Sequence, residues 1–490
     1  MPTIDLRRRL VELDAQILEQ KRALRDLQQT RITVERELRE TATYPILTLP
    51  VEITTEIFDQ LPVETVYYSR PGLWTNMAPV LAAVCRSWRG IALSTPKLWS
   101  TMEISLDDVP LTVIAEPGMV ELSIHRWLGR SGECPLSLTF TLHRNRFPLS
   151  RLRTIVHQYA YRTRYIKLDL GDFIPMDALE LYSLSFPSLQ AASFRCDSHL
   201  ETHVFGNAPQ LHSLHVLPIS EGIAPARFHL PWQQLTTFEG CIQNLDLFIV
   251  ASNLIDVKCN WTGDMYSDPR VITHSRITSF TVIDAPSDLI LQYLNLPSLR
   301  HLDLMRVDEY DFVASFIKRS LPPLISLRAR AADPAFSQWH KAALHVAGTL
   351  EDLELLSPSL EVMVSIFNSW EISGDRTLRT LLNLKTLRFL DVPDPLRQYR
   401  LVHFLYPRSE KLRSFQLVWE ESPFLDGCTL AGAPGAPASL DTIVGHFSRL
   451  RAAGMDVYVG TENENYAATN DVATQPSLPC QAGRKRLRKN

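Results

Sequence analysis

The chain opens on a long stretch of helical period. Residues 4–40 are dense in charge and free of Gly and Pro, and Leu6, Leu10, Leu13, Ile17, Leu24, Leu27, Val34 and Leu38 fall on the a and d positions of one heptad frame. Gln20 and Arg31 interrupt the frame, Arg31 at an a position. Such a seam suits either self-association or folding back on the segment that follows, and the pattern leaves both open. Thr41–Thr48, which contains Pro45, breaks the period. A second helical pattern starts at Pro50, with Ile53, Ile57, Phe58 and Leu61 as one apolar face. After a spacer, Leu81, Val84, Cys85, Trp88, Ile91 and Ala92 repeat the spacing and predict one further helix, closed by Leu98-Trp99.

Beyond Trp99 the pattern turns to short strands. The form apolar-x-x-apolar-x-apolar recurs at Leu211-x-x-Leu214-x-Val216, Leu254-x-x-Val257-x-Cys259, Ile277-x-x-Phe280-x-Val282 and Leu299-x-x-Leu302-x-Leu304. It continues at Leu350-x-x-Leu353-x-Leu355, Leu384-x-x-Leu387-x-Phe389 and Leu412-x-x-Phe415-x-Leu417, with weaker copies from Leu189, Leu235 and Leu324. Leu136–Phe140 and Ile166–Leu170 read as earlier strands of the series. Leading positions lie roughly 19–26 residues apart as far as Leu350, and further apart after it. That period predicts a stack in which each unit gives one strand to a parallel sheet and buries its leucines against a returning segment.

Within the later repeats, Leu360–Trp370 reads as an amphipathic helix, 431–438 as a flexible loop, Asp441–Ala453 as a helix and Met455–Val459 as a closing strand. From Thr461 onward the chain is polar and reads as a disordered tail, ending in the basic run Arg484–Lys489. A run of that kind serves as a nuclear import signal or is simply a solvated tail.

Side chains alternate along a strand, so the second and third apolar residues of each copy point into the stack and their neighbours face the open side. This places Asp256, Lys258 and Asn260 on that side, then His301, Asp303 and Met305. Arg328 and Arg330 follow, then Asp352 and Glu354, then Thr386 and Arg388. Neighbouring stripes of opposite charge suit a polar protein surface better than an apolar ligand or an anionic polymer. The same stripes also arise on any solvated strand face, and the pattern does not choose between the two.

Residues 45–99 resemble the F-box, the helical module that docks F-box proteins onto the Skp adaptor of cullin-RING ubiquitin ligases. The likeness rests on Leu49-Pro50-x-Glu52-Ile53, Ile57-Phe58, Val84-Cys85-Arg86-x-Trp88 and Leu98-Trp99, which stand in the family's order. The spacer Val63–Met77, with Pro71-Gly72, is longer than a compact F-box needs. The repeats resemble the irregular leucine-rich repeats of fungal F-box proteins, also through Trp127-Leu128-x-Arg130-Ser131-Gly132, Cys134-Pro135-Leu136 and Arg162-Thr163-Arg164. They lack the Asn that usually follows the last leucine, so uneven turns are expected.

The resemblance implies an α/β chain: a long N-terminal helix over 1–44, a helical F-box module over 45–99, and a leucine-rich-repeat solenoid over 100–460. The solenoid is expected as a horseshoe-like parallel sheet, with the tail at 461–490. It implies that Leu49, Pro50, Ile53, Ile57, Phe58, Val84, Cys85 and Trp88 divide between the adaptor contact and the module's own core. The partners implied are a Skp-type adaptor, a cullin ligase and a target protein held by the repeats. The alternative is a protein-interaction scaffold whose F-box-like helices engage no ligase.

Composition changes this picture little. The 490 residues exceed one ordinary core, and a net charge of −4 gives no case for nucleic acid or a membrane surface. No apolar run approaches the roughly 20 residues of a membrane span. Seven cysteines without a Cys-x-x-Cys pair read as reduced thiols, and Arg7-Arg8-Arg9 within the helical pattern leaves no signal-peptide core, so a cytoplasmic or nuclear protein is expected. Asn260-Trp261-Thr262 then reads as a chance sequon. No phosphate loop, nucleophile elbow or paired metal spacing is present, so no cofactor, metal or enzymatic role is expected. His212 and His215 read as exposed strand residues, Asp107-Asp108 and Glu420-Glu421 as solvated pairs, and Cys85 as a packing residue.

Overall fold

The fold is taken from a computed structural model. It describes residues 2–41, 48–61, 77–109, 118–144, 147–171, 176–195, 202–217, 225–262, 270–283, 287–305, 310–331, 345–346, 348–359, 361–363, 383–392, 411–419, 449–462 and 464–465, with single positions at 112, 114, 116, 366, 381, 405 and 447. The chain divides into two compact units. One comprises Met1–Tyr67, Thr75–Ser100 and Trp127–Gly132; the other comprises Tyr68–Trp74, Thr101–Arg126 and Glu133–Asn490.

The first unit is helical. The helix α1 spans Pro2–Thr41, and its described seam residues are exposed. Among the described residues three short helices follow: α2 (Val51–Asp59), α3 (Met77–Val84) and α4 (Arg86–Ser94), then a 3-10 turn at Pro96–Trp99. The single helix expected over Leu81–Ala92 is therefore two. Cys85 breaks it with an extended backbone (φ −155°, ψ 172°), and its Sγ accepts the Trp88 N–H at 3.4 Å as the cap of α4. Cys85 is thus a capping residue rather than a packing one. Phe58, Leu81, Ile91 and Ala92 are the buried centre, with Leu61, Ala82, Trp88 and Leu98 packed around them. Burial of Phe58 contributes on the order of 2–3 kcal/mol. Trp99 closes the unit: its indole N–H donates to the Ala92 carbonyl at 2.7 Å, Trp127 meets it edge-on at 4.8 Å, and Arg130 lies 4.5 Å over its ring.

Among the described residues the second unit is built on one sheet of 15 strands. Its strands are Thr101–Ser105, Leu136–Leu142, Thr163–Leu170, Ala191–Arg195, Ser213–Leu217, Thr237–Ile242, Asp256–Trp261, Ser279–Val282, His301–Leu304, Ser326–Arg330, Asp352–Leu356, Thr386–Val392, Ser414–Trp419, Asp456–Thr461 and Glu464–Asn465. They lie side by side in chain order and pair in parallel, except that the last is antiparallel. Parallel neighbours need a return segment between them. Helices such as Leu149–Tyr159 and Tyr310–Ser320, and 3-10 turns such as Trp232–Gln234, supply it. Two short parallel ladders, Thr202–His203 with Phe228–His229 and Ile272–Thr273 with Leu294–Asn295, tie successive returns together.

Every strand read from the repeated form is present, and its two strand apolar residues are buried, as in Val257 and Cys259 or Leu302 and Leu304. Thr101–Ser105, the two small ladders and Glu464–Asn465 carry no copy of that form and were not expected. Glu464–Asn465 corrects the tail: the segment expected to be disordered from Thr461 begins by pairing with Gly460 and Thr461. Of the expected helix Leu360–Trp370, residues 361–363 and 366 are helical, and of Asp441–Ala453, residues 447 and 449–452. The rest of both, the loop 431–438, the acidic pair Glu420-Glu421, most of the spacer Val63–Met77 and the basic run Arg484–Lys489 lie outside the described residues.

Candidate protein-docking surfaces

The α2 face expected to be uniformly apolar splits in two. Thr54 and Phe58 turn inward, Thr54 satisfied by donating its hydroxyl to the Pro50 carbonyl at 3.1 Å, and Phe58 meeting Trp88 edge-on at 5.0 Å. Ile53 and Ile57, one turn apart, point outward and are 51 % and 41 % exposed. Neighbouring positions on a helix differ by about 100°, so Ile57 and Phe58 cannot share a face. Leu49 and Pro50 are also exposed at the entrance to α2, and Val84 is exposed on α3. Cys85 and Trp88 are half-buried. Of the candidate adaptor residues, then, Phe58 and Trp88 belong to the core, Cys85 to a cap, and Leu49, Pro50, Ile53, Ile57 and Val84 to the surface. Val51, Val80 and Leu93 are exposed apolar residues that the motif did not single out. Lys97 reaches Asp59 at 2.8 Å, and this hydrogen bond raises the lysine's pKa.

The open face of the sheet is polar and internally paired. Its register aligns Glu239, Lys258, Thr281, Asp303, Arg328, Glu354 and Arg388 in one row across seven strands. Two positions earlier, Thr237, Asp256, Ser279, His301, Ser326, Asp352 and Thr386 form a second row. Adjacent parallel strands lie about 4.8 Å apart, so like charges in one row would repel and opposite charges attract. The first row alternates accordingly. Lys258 pairs with Glu239 at 2.8 Å. Arg328 lies 3.6 Å from Asp303 and 2.8 Å from Glu354, and Glu354 accepts from Arg388 at 2.9 Å. The stripes of opposite charge expected from the sequence are therefore bound to one another rather than held open.

Asp256, Lys258, His301 and Arg330 are exposed; Asn260, Asp303, Met305, Arg328, Asp352, Glu354, Thr386 and Arg388 are half-buried. A cavity of about 240 Å³ opens on this face, lined by residues including Thr281, His301, Asp303, Arg328, Glu354 and Arg388. Burial pushes the Asp303 carboxyl above its usual range; Arg328 opposes the shift and Glu354 adds to it.

Toward the chain's N-terminal strands the same paired character appears in residues that sequence reasoning passed over. Asp169 accepts from Arg195 at 2.8 Å and from His143 at 3.2 Å. Burial opposes its ionisation, but these two partners hold its pKa low. Asp107 corrects the reading of a solvated pair, since its carboxylate accepts the backbone N–H groups of His143 and Arg144, each at 2.7 Å. His215 is half-buried beside Ser193 and Glu239 rather than exposed. Among the described residues no cluster of three His, Cys, Asp or Glu side chains is placed to hold a metal ion, and no helix is long and apolar enough to cross a membrane.

A family model described as F-box-like matches residues 46–105, which take in α2, α3, α4 and the closing turn. Domains of this kind bind Skp-type adaptors in SCF complexes and are typically non-catalytic adaptor modules. No curated protein matches the chain.

Proposed function

We propose that the chain is a non-catalytic substrate-recognition subunit of an SCF-type ubiquitin ligase, acting in the cytoplasm, the nucleus or both. The surface carrying Leu49, Pro50, Ile53, Ile57 and Val84 docks a Skp-type adaptor. The sheet is a leucine-rich-repeat solenoid of the irregular fungal F-box type, and its open face holds the target. The in-order parallel strands and the buried leucines of each copy support the solenoid reading. Ubiquitin transfer is then catalysis by proximity, in which holding the target raises the effective concentration of its lysine at the charged conjugating enzyme.

The observation that carries the proposal is the outer face of α2. Ile53 and Ile57 stand exposed on a helix whose inner face is already closed by Phe58, an arrangement that suits burial by a partner. Copurification of a recombinant Skp-type adaptor with the intact chain tests it. The expected result is a stable complex that the Ile57→Asp variant fails to form while remaining folded. A folded chain that retains no adaptor would instead identify a scaffold outside any ligase.

A further inference from the structure

The helix α1 carries a surface that adaptor and target docking leave unused. Along its seam Leu10 is 60 %, Ile17 50 %, Leu24 55 % and Leu27 68 % exposed. A helix of 40 residues spans about 60 Å, and a leucine seam of that length gains stability only when another apolar surface covers it. We propose that the cover is α1 of a second copy of this chain, packed antiparallel with Gln20 opposite Leu24 of that copy.

Charge decides the direction. In a parallel, in-register pair every seam residue meets itself, so Arg31 would face Arg31 and Gln20 would face Gln20 of the second copy. Two guanidinium groups held together in a closed seam repel, and each loses water without an anionic partner. The antiparallel register mixes the layers instead. Leu10 packs on Val34, Ile17 on Leu27, Leu24 on Gln20, and Arg31 on Leu13 of the second copy. In antiparallel coiled coils e positions flank e positions, which brings Asp14 of the second copy beside Arg31. Arg31 is 79 % exposed and pairs at 2.9 Å with Glu35 of its own helix, so its guanidinium stands in solvent and exchanges Glu35 for Asp14 of the second copy in the proposed pair.

The flanks agree with this direction. Arg7 at an e position meets Glu35, and Arg9 at a g position meets Glu37, both of the second copy, with each pair repeated by the twofold axis. The parallel pair offers only Arg9 with Asp14 at its g and e positions. Lys21 meets Lys21 of the second copy near the axis, a single exposed like-charge approach that salt and water screen. The helix dipoles also lie head to tail.

Sedimentation equilibrium of the full chain tests the inference. The wild type is expected at twice 55.7 kDa at micromolar concentration, and Leu10→Asp/Leu24→Asp at the monomer mass. Arg7→Glu/Arg9→Glu should weaken the dimer by about tenfold or more, and adding Glu35→Arg/Glu37→Arg to the same chain should restore it. A monomeric wild type overturns the inference, as does a dimer unmoved by Leu10→Asp/Leu24→Asp. Failure of the four-residue reversal to restore a weakened dimer overturns the antiparallel direction, because only that direction brings these four charges together. Adaptor binding through α2 stays intact in all the charge variants, so loss of it would bear on the ligase proposal and not on this one.

Discussion

The outer face of α2 and the open face of the sheet are built on opposite plans. On α2, Ile53 and Ile57 are apolar and exposed, while Phe58 behind them is buried against Leu81, Ile91 and Ala92. On the sheet, Asp303, Arg328, Glu354 and Arg388 are charged and half-buried, and they are bound to one another across neighbouring strands. An apolar face with no internal partner gains from any partner of matching shape, which suits one constant adaptor. A paired polar face must exchange its internal contacts for external ones, so it rewards only a partner that replaces them. Under the proposed function, one surface fits a constant adaptor and the other selection among targets.

The sharpest division lies between Ile57 and Phe58. Phe58→Ala should destabilise the helical unit by about 3–5 kcal/mol, whereas Ile57→Asp should shift unfolding by no more than about 0.5 kcal/mol. Chemical denaturation of both variants checks this, and equal losses would erase the distinction between inner and outer face. On the sheet, Arg328→Glu places a third carboxylate between Asp303 and Glu354 and should cost about 1 kcal/mol, after discounting for its partial exposure. Arg330→Glu, which reverses an exposed position of the same strand, should leave the melting temperature unchanged. If the two reversals behave alike, the row of ion pairs contributes nothing.

Two smaller effects refine the picture. Cys85→Ser keeps an acceptor for the Trp88 N–H and supplies a better one, so it should stabilise α4 by about 0.5–1 kcal/mol in thermal unfolding. A loss of stability would mean that the thiol packs rather than caps. In the sheet unit, His274 is 4 % exposed, donates to the Ala251 carbonyl at 3.2 Å and accepts the Arg276 N–H at 3.4 Å. That arrangement needs a neutral ring, and burial lowers its pKa from 6.5. The unfolded chain therefore binds the proton more readily. The stability due to the neutral ring is complete above the unfolded value and is lost as pH falls through the folded one. The melting temperature should drop as pH is lowered from about 7 to about 5, and less steeply in His274→Gln.

The strands were legible because a parallel in-register stack asks the same thing of every unit: leucines at fixed offsets and polar residues between them. The open-face residues followed from alternation alone. Pairing among them did not, because Asp303 meets Arg328, and Arg328 meets Glu354, only once the register between strands is set. Because Arg328 is tied to Asp303 and Glu354, reversing it would disturb the row itself, so exposed Arg330 is the better probe of the target capture proposed for this face. In the helical module, the start at Pro50 and the close at Trp99 were readable from type and spacing. The inward choice of Phe58 over Ile57 was not, since both are apolar and Phe58's partner Trp88 arrives from beyond the spacer. The break at Cys85 was hidden because a thiol seldom caps a helix, and the apolar spacing runs through it without interruption.

In the proposed assembly the exposed face of α2 docks an adaptor, and the polar face of the sheet takes no part in that contact. Isothermal titration of a recombinant Skp-type adaptor into the intact chain tests it most directly, using wild type, Arg330→Glu and Ile57→Asp side by side. Equal affinity is expected for wild type and Arg330→Glu, and a loss of about 2 kcal/mol or more, roughly 30-fold, for a folded Ile57→Asp. A folded Ile57→Asp variant that binds the adaptor as tightly as wild type would contradict it.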